Sequence, residues 1–242
     1  MRRNTLSLSE VKELVRGKDV LLVGNNLTAL EIEQGEFIDS YDIVVRFGKG
    51  CPTGHEKYLG HKTDIWATGY FRSSTRKYFP EDTLVLYNTS TMKPPVKYPD
   101  YEYTVMYSLE EINEINSLYN TGDKRLSIGA ITAHWFYNIV KEYSTLSFIN
   151  FDFFHSSTIF KNGKTNTNSI SSSWHMPLIH PNYNTKLDPA EHPAHNSVAE
   201  KKLFDEILQD SRSIFLGKKP SSHQLIDVKN AAWDNIRQKI ED

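Results

Sequence analysis

Residues 19–64 read DVLLVGNNLTALEIEQGEFIDSYDIVVRFGKGCPTGHEKYLGHKTD, and they decide the fold. Val20 to Val23 is an apolar run that stops at Gly24-Asn25-Asn26. A short apolar run bounded by turn residues reads as a strand buried on both faces, as in a parallel sheet. A helix-like or turn segment (27–37) follows, with Leu27, Leu30 and Ile32 among Glu31, Glu33 and Glu36; Gly35 weakens a long helix there. A second strand spans Asp42 to Phe47, then comes a polar loop rich in Gly, Pro, Thr and Lys. Strand, glycine and helix in that order present free backbone N–H groups to a phosphate. Gly24 permits close backbone approach or a positive φ. Asn25 and Asn26 can cap the helix start or offer side-chain amides to a ligand. Neither G-x-G-x-x-G nor G-x-x-x-x-G-K-[ST] occurs, so the pattern is equally that of a plain crossover turn.

Outward from this stretch, alternation continues. Asp64 to Ala67, Thr83 to Tyr87, Tyr103 to Tyr107, Leu146 to Phe151 and Ser213 to Leu216 read as further strands. Ser7 with Glu10 fits a capping box ahead of a helix over 9–16 that turns Val11, Leu14 and Val15 inward. Ser108 caps a helix to Tyr119, with Leu109, Ile112, Ile115 and Leu118 at helical spacing. Ala130 to Glu142 and Glu200 to Leu208 read as helices, and the tail past Leu216 as a loop and a helix turning Leu225, Val228, Ala232, Trp233 and Ile236 inward. The fold class is α/β: one domain over 1–242, a mainly parallel sheet with helices on both faces.

Composition narrows the function. The 242 residues carry a formal charge of −2 and 38% apolar residues, with mean hydropathy −0.52 and pI near 6.5. That balance argues against bulk attraction to nucleic acid or membrane. The single cysteine, Cys51, excludes an internal disulfide framework and fits a reducing compartment. MRRNTLSLSE lacks an apolar signal-peptide core, and no run of eighteen apolar residues exists. A soluble, cytoplasmic protein is expected. Residues 70–80 interleave Arg72, Arg76 and Lys77 with Tyr70, Phe71, Tyr78 and Phe79. They fit either an acidic or nucleic-acid acceptor or a solvated helix face.

The long stretch also resembles the long sialylmotif of animal-type sialyltransferases. Val23-Gly24-Asn25, Ile38-Asp39, Asp42, Val44, Arg46, Pro52-Thr53-Gly54, Leu59-Gly60 and Lys62-Thr63 match it in order and approximate spacing. Ser127-x-Gly129 with the strand ending Asn150-Phe151-Asp152-Phe153 resembles the short motif, where the family has G-F or G-x-D-F. His195 with Glu200 five residues on resembles the very small motif, and His180 with Tyr183 the third. The resemblance implies a modified Rossmann, sialyltransferase-like variant of the GT-A fold that binds a nucleotide-sugar donor, CMP-sialic acid in the family. It implies His195 as general base and His180 as partner of the departing phosphate. Animal sialyltransferases are membrane-anchored and disulfide-linked, so this chain resembles a soluble version such as a bacterium or virus encodes.

Elementary chemistry wants the same residue types. A sugar hydroxyl is a poor nucleophile, and an imidazole titrating near neutrality takes its proton in the transition state. Glu200 either orients His195 or caps its helix. Ser127 and Gly129 offer a hydroxyl and N–H groups at a helix N-terminus, for an anion or for simple capping. Arg46 either pairs with Asp39 or Asp42 or reaches a phosphate. The expected nucleotide-binding set is Gly24, Asn25, Asn26, Arg46, Ser127, Gly129 and Tyr183. His134, in an apolar helix, reads as a core residue. Three histidines in one loop, His180, His192 and His195, raise a metal site; Asp-x-Asp occurs nowhere, and the family works without metal, so no metal or cofactor is expected beyond the nucleotide-sugar co-substrate. Residues 155–176, rich in Ser, Thr and Asn, read as a flexible flap over the donor pocket. The family often has Asn where this chain has Gly48, which bears on donor identity. The acceptor is therefore open: a glycan, a lipopolysaccharide precursor, or modified bases of viral DNA with a different donor. A non-catalytic nucleotide- or glycan-binding module is the remaining alternative.

Overall fold

The computed structural model describes residues 7–25, 29, 32–48, 50, 52, 55–69, 79–80, 82–88, 103–151 and 195–216, and the backbone of 158–160 and 183–186. Its frame is a seven-stranded sheet in which every neighbouring pair is parallel. The strands are β1 (Asp19–Val23), β2 (Ile43–Phe47), β3 (Ile65–Thr68), β4 (Leu84–Tyr87), β5 (Thr104–Val105), β6 (Thr145–Ile149) and β9 (Ser213–Leu216), in spatial order β5-β4-β3-β2-β1-β6-β9. Two further strands, β7 (Thr158–Phe160) and β8 (Tyr183–Lys186), pair with each other in antiparallel fashion. Parallel strands need long crossovers, and among the described residues helices lie between β1 and β2, β2 and β3, β5 and β6, and β6 and β9.

One sheet face carries Val20, Leu22, Val45, Ile65, Leu146 and Phe148. It packs on α1 (Leu8–Val15), α4 (Leu109–Leu118), α5 (Ile128–Trp135) and α6 (Ser197–Ile207). The opposite face carries Leu21, Val23, Val44, Ile149 and Leu216 under Ile38 of α2 (Gly35–Asp39). Both faces are covered, which is why β1 and β2 are apolar without alternation. A single-turn helix, α3 (Glu56–Leu59), packs its backbone on α2.

Local chemistry explains most element ends. Ser7 and Ser108 each close a full capping box, with Glu10 and Glu111. Helix α2 begins at Gly35, where a helix was least expected from propensity. A Cβ there would lie 2.0 Å from the Glu56 carbonyl oxygen, so close helix packing demands glycine. Helix α5 starts two residues before the expected Ala130, with Ser127 as its cap, and widens into a π-helical turn over Phe136–Val140. Strand β5 is shorter than the expected Tyr103 to Tyr107, because β4, its one ladder partner among the described residues, ends at Tyr87 opposite Val105. Strand β6 stops at Ile149 rather than Phe151, because Asn150 turns into the left-handed region at φ +60°. Helix α6 starts at Ser197, ahead of Glu200, because Asn196 caps it: its side chain accepts from Ala199 N at 3.0 Å.

Candidate active site

Strand order reverses at β1. The chain winds from β1 to β2 and outward on one side, while β6 lies on the other. In open α/β sheets the crevice at the carboxyl ends of two such strands takes the ligand. Gly24 follows β1 there. Its N–H donates to the Ile149 carbonyl at 2.8 Å, and a Cβ on it would sit 2.2 Å from the Asn150 carbonyl oxygen. Close backbone approach, not a positive φ, is what requires this glycine. Asn25 Nδ2 donates to the Phe47 carbonyl at 3.0 Å, latching the end of β1 to the end of β2.

Phe151 joins this edge to α5. A Cβ on Gly24 would meet its ring at 3.1 Å, and a Cβ on Gly129 at 3.0 Å. The same ring packs edge-on against Phe47 and Phe148 and tilted against Phe204. Both glycines thus make room for one aromatic ring between the end of β1 and the start of α5.

The N-terminus of α5 is built by groups 73 positions apart in sequence. Ser127 Oγ accepts from Ala130 N at 3.2 Å, an ordinary N-cap. Ser127 N donates to Oε1 of Glu200 at 2.6 Å. Glu200 is 4% exposed. Burial pushes its carboxyl up to about 8, against the lowering pull of its hydrogen bonds from Ser127. It is thus largely protonated at neutral pH. It caps no turn of its own helix, since Asn196 does that. It ties α6 to the start of α5. His195 lies next to this junction: its backbone bridges Arg125, and Asn196 N donates to the Arg125 carbonyl at 3.2 Å. The ring is half-buried.

Arg46 is in a different place from the one its strand-end position suggests. It is 1% exposed. Its Nε donates to the Lys62 carbonyl and to Thr63 Oγ1, each at 3.0 Å, and its Nη2 to the Leu59 carbonyl. The guanidinium holds the turn that leads into β3. The acidic partners expected from sequence, Asp39 and Asp42, are engaged elsewhere. Asp39 accepts from His61 N and Lys62 N at 2.8 Å, and Asp42 accepts from Asp19 N at 2.9 Å.

His134 is a core residue, as its apolar surroundings imply. Its Nδ1 lies 2.8 Å from Tyr107 Oη, and burial lowers its pKa to about 4. Asn26, His180 and most of the expected flap lie outside the described residues. Thr158–Phe160 of that segment is a strand, and Tyr183, expected in a loop, begins its partner strand. Two buried polar residues near the carboxyl end of β6, Gln34 and Asn150, carry no signal of their pairing in the sequence. Their side chains meet at 2.9 Å across 116 positions, a pairing no local pattern announces. Among the described residues, no three His, Cys, Asp or Glu side chains gather as metal ligands. No helix among them is long and apolar enough to cross a membrane.

No protein-family model matches this chain, and no curated protein matches it significantly in sequence. Solved structures do match in fold. A crystal structure of a mammalian sialyltransferase in complex with Gal-beta-1-3GalNAc-ortho-nitrophenol aligns with TM-score 0.53 at 15% identity, over 88% of this chain and 73% of that one. A second crystal structure of a mammalian sialyltransferase aligns with TM-score 0.50 at 14% identity, over 88% and 79%. The parallel seven-stranded sheet, with its order reversing at β1, is a sialyltransferase-like fold.

Proposed function

We propose that this chain is an inverting, metal-independent glycosyltransferase that moves a sugar from a nucleotide donor, a CMP-sugar first, to an acceptor hydroxyl. The observation that carries the reading is the junction at the start of α5. Ser127 N and Glu200 Oε1 meet at 2.6 Å, and the His195 backbone bridges Arg125 two residues away. Segments resembling two separate motifs thus meet beside the edge where the segment resembling a third begins, at Val23-Gly24.

In this mechanism His195 accepts the proton of the acceptor hydroxyl as its oxygen attacks the anomeric carbon. The bond from that carbon to the nucleotide phosphate oxygen breaks on the opposite side, so configuration inverts. The phosphate leaves with its negative charge. The N-terminal end of α5, near Gly129, and His180 are the groups assigned to stabilise it. Glu200, neutral in its buried position, holds the two helix starts in register without placing a second negative charge near the phosphate.

The test pairs binding with turnover. Wild type and His195→Ala are compared against CMP, CDP, UDP and GDP and the corresponding sugar donors, by thermal shift and by transfer. Loss of a general base costs about 10²–10⁴-fold in rate, so transfer falls by that order while nucleotide binding stays. Transfer by His195→Ala within about threefold of wild type overturns the mechanism.

A further inference from the structure

The end of β6 adopts a conformation that side chains rarely accept. Asn150 has φ +60°, and asparagine is among the few residues that tolerate it. Backbone held in this way gathers at ligand sites. Asn150 is 7% exposed. Its Oδ1 accepts from Gln34 Nε2 at 2.9 Å, and Gln34 is itself buried. That bond fixes how the amide is turned. The other end of the amide, Nδ2, is closed from solvent and finds no acceptor among the described residues. Folded proteins seldom keep a buried donor without an acceptor.

Its position suggests what the acceptor is. The Asn150 carbonyl lies against Gly24, at the carboxyl ends of β1 and β6. An amide NH₂ only donates, so its partner carries oxygen lone pairs. A nucleotide offers these on phosphate and ribose alike.

We propose that Asn150 is a ligand-binding residue of the crevice, with its Nδ2 donating to a phosphate or ribose oxygen of the bound nucleotide. Gln34 is then a positioning residue that turns the amide toward the ligand. The inference rests on the crevice being a nucleotide-sugar site.

Two variants of the full chain test it. Asn150→Asp keeps the shape and the acceptor for Gln34, and replaces the donor with an oxygen. Asn150→Gly takes the left-handed conformation without strain and removes the amide. Calorimetry with CMP, CDP, UDP and GDP gives the dissociation constants, and melting without ligand gives the stability. Asn150→Asp is expected to melt below wild type because a carboxylate replaces a buried amide, and Asn150→Gly because it strands the buried Gln34 Nε2; the folded protein of each is expected to bind the preferred nucleotide about tenfold more weakly. Affinity within about twofold of wild type in both variants makes Asn150 scaffold only and overturns the inference. A wild type that binds none of the four nucleotides overturns the reading of the crevice itself, and the inference with it. The two failures are distinguishable, because the second is seen before any variant is made.

Discussion

The stretch from Asp19 to Asp64 serves two regions that look alike in sequence and differ in chemistry. At the turn into β3, its polar side chains are satisfied by backbone. Asp39 accepts from His61 N and Lys62 N, and Arg46 donates to the carbonyls of Leu59 and Lys62 and to the Thr63 hydroxyl. Thr63 offers its own carbonyl to Thr83 Oγ1 at 2.9 Å. At the carboxyl edge of β1 and β6, Gly24 lets two backbones touch, and Asn150 Nδ2 has no acceptor among the described residues. The first region is closed upon itself, and the second has donor capacity left over. Much of the stretch that resembles the long sialylmotif therefore holds the crossover between β2 and β3 together.

The largest effect that tests this division belongs to Arg46. Arg46→Ala strands the Leu59 and Lys62 carbonyls and leaves a cavity in a fully packed site. Such changes cost about 3–5 kcal/mol. For a chain of this size that is a fall of about 10 °C in melting temperature. Nucleotide affinity of the folded fraction is expected to stay within about threefold of wild type. The reverse result, unchanged melting with weakened nucleotide binding, would move Arg46 from the closed region to the crevice.

Glu200 gives the next effect, and its direction follows from its raised pKa. The folded carboxyl titrates at about 8 and the ordinary value is 4.5. The folded state therefore holds a proton that the unfolded state has lost. This contribution is fully present below about pH 4.5 and is lost as pH rises through about 8. Wild-type stability is expected to decline across that window by on the order of a few kcal/mol. Glu200→Gln keeps an oxygen for Ser127 N and cannot ionise, so its denaturant midpoint should change less between pH 5 and pH 8.5. Parallel profiles for the two proteins would show that the buried carboxyl does not couple the α5–α6 junction to pH.

Fold and site were legible to different degrees, for reasons tied to particular residues. The strands were visible because burial on both faces makes them apolar runs, and the caps because Ser7 and Ser108 advertise helix starts. Helix α2 was obscured because Gly35 argues against a helix locally, while the contact that requires it, the Glu56 carbonyl, is a backbone atom with no residue signature. The partners of Arg46 were obscured in the same way: two of them are carbonyls, and the acidic residues nearby were the visible guess. The Ser127–Glu200 and Gln34–Asn150 pairs join residues 73 and 116 positions apart. Each member was readable as polar, but only the sheet order brings the members together.

The smallest effect sets two glycines of the stretch against each other. Gly60 and Gly48 both have positive φ, +71° and +53°. A Cβ on Gly60 would lie 2.3 Å from Asp39 Oδ1, inside the closed region, whereas a Cβ on Gly48 would meet nothing within 4 Å. The Gly48 carbonyl is held by Trp66 Nε1 at 2.6 Å, so the backbone there is fixed while the space above it is open. Asparagine tolerates this conformation. Gly48→Asn should therefore cost less than about 1 kcal/mol, against a larger loss for Gly60→Asn, where strain and contact add. The new amide would stand one residue past β2, next to the Asn25 latch on the Phe47 carbonyl. If donor choice is made at this edge, the ranking of CMP, CDP, UDP and GDP in a thermal-shift panel changes in Gly48→Asn while melting without ligand does not. An unchanged ranking would assign Gly48 to the scaffold alongside Gly60, and would leave the wall formed by β1 and β6 to set the donor.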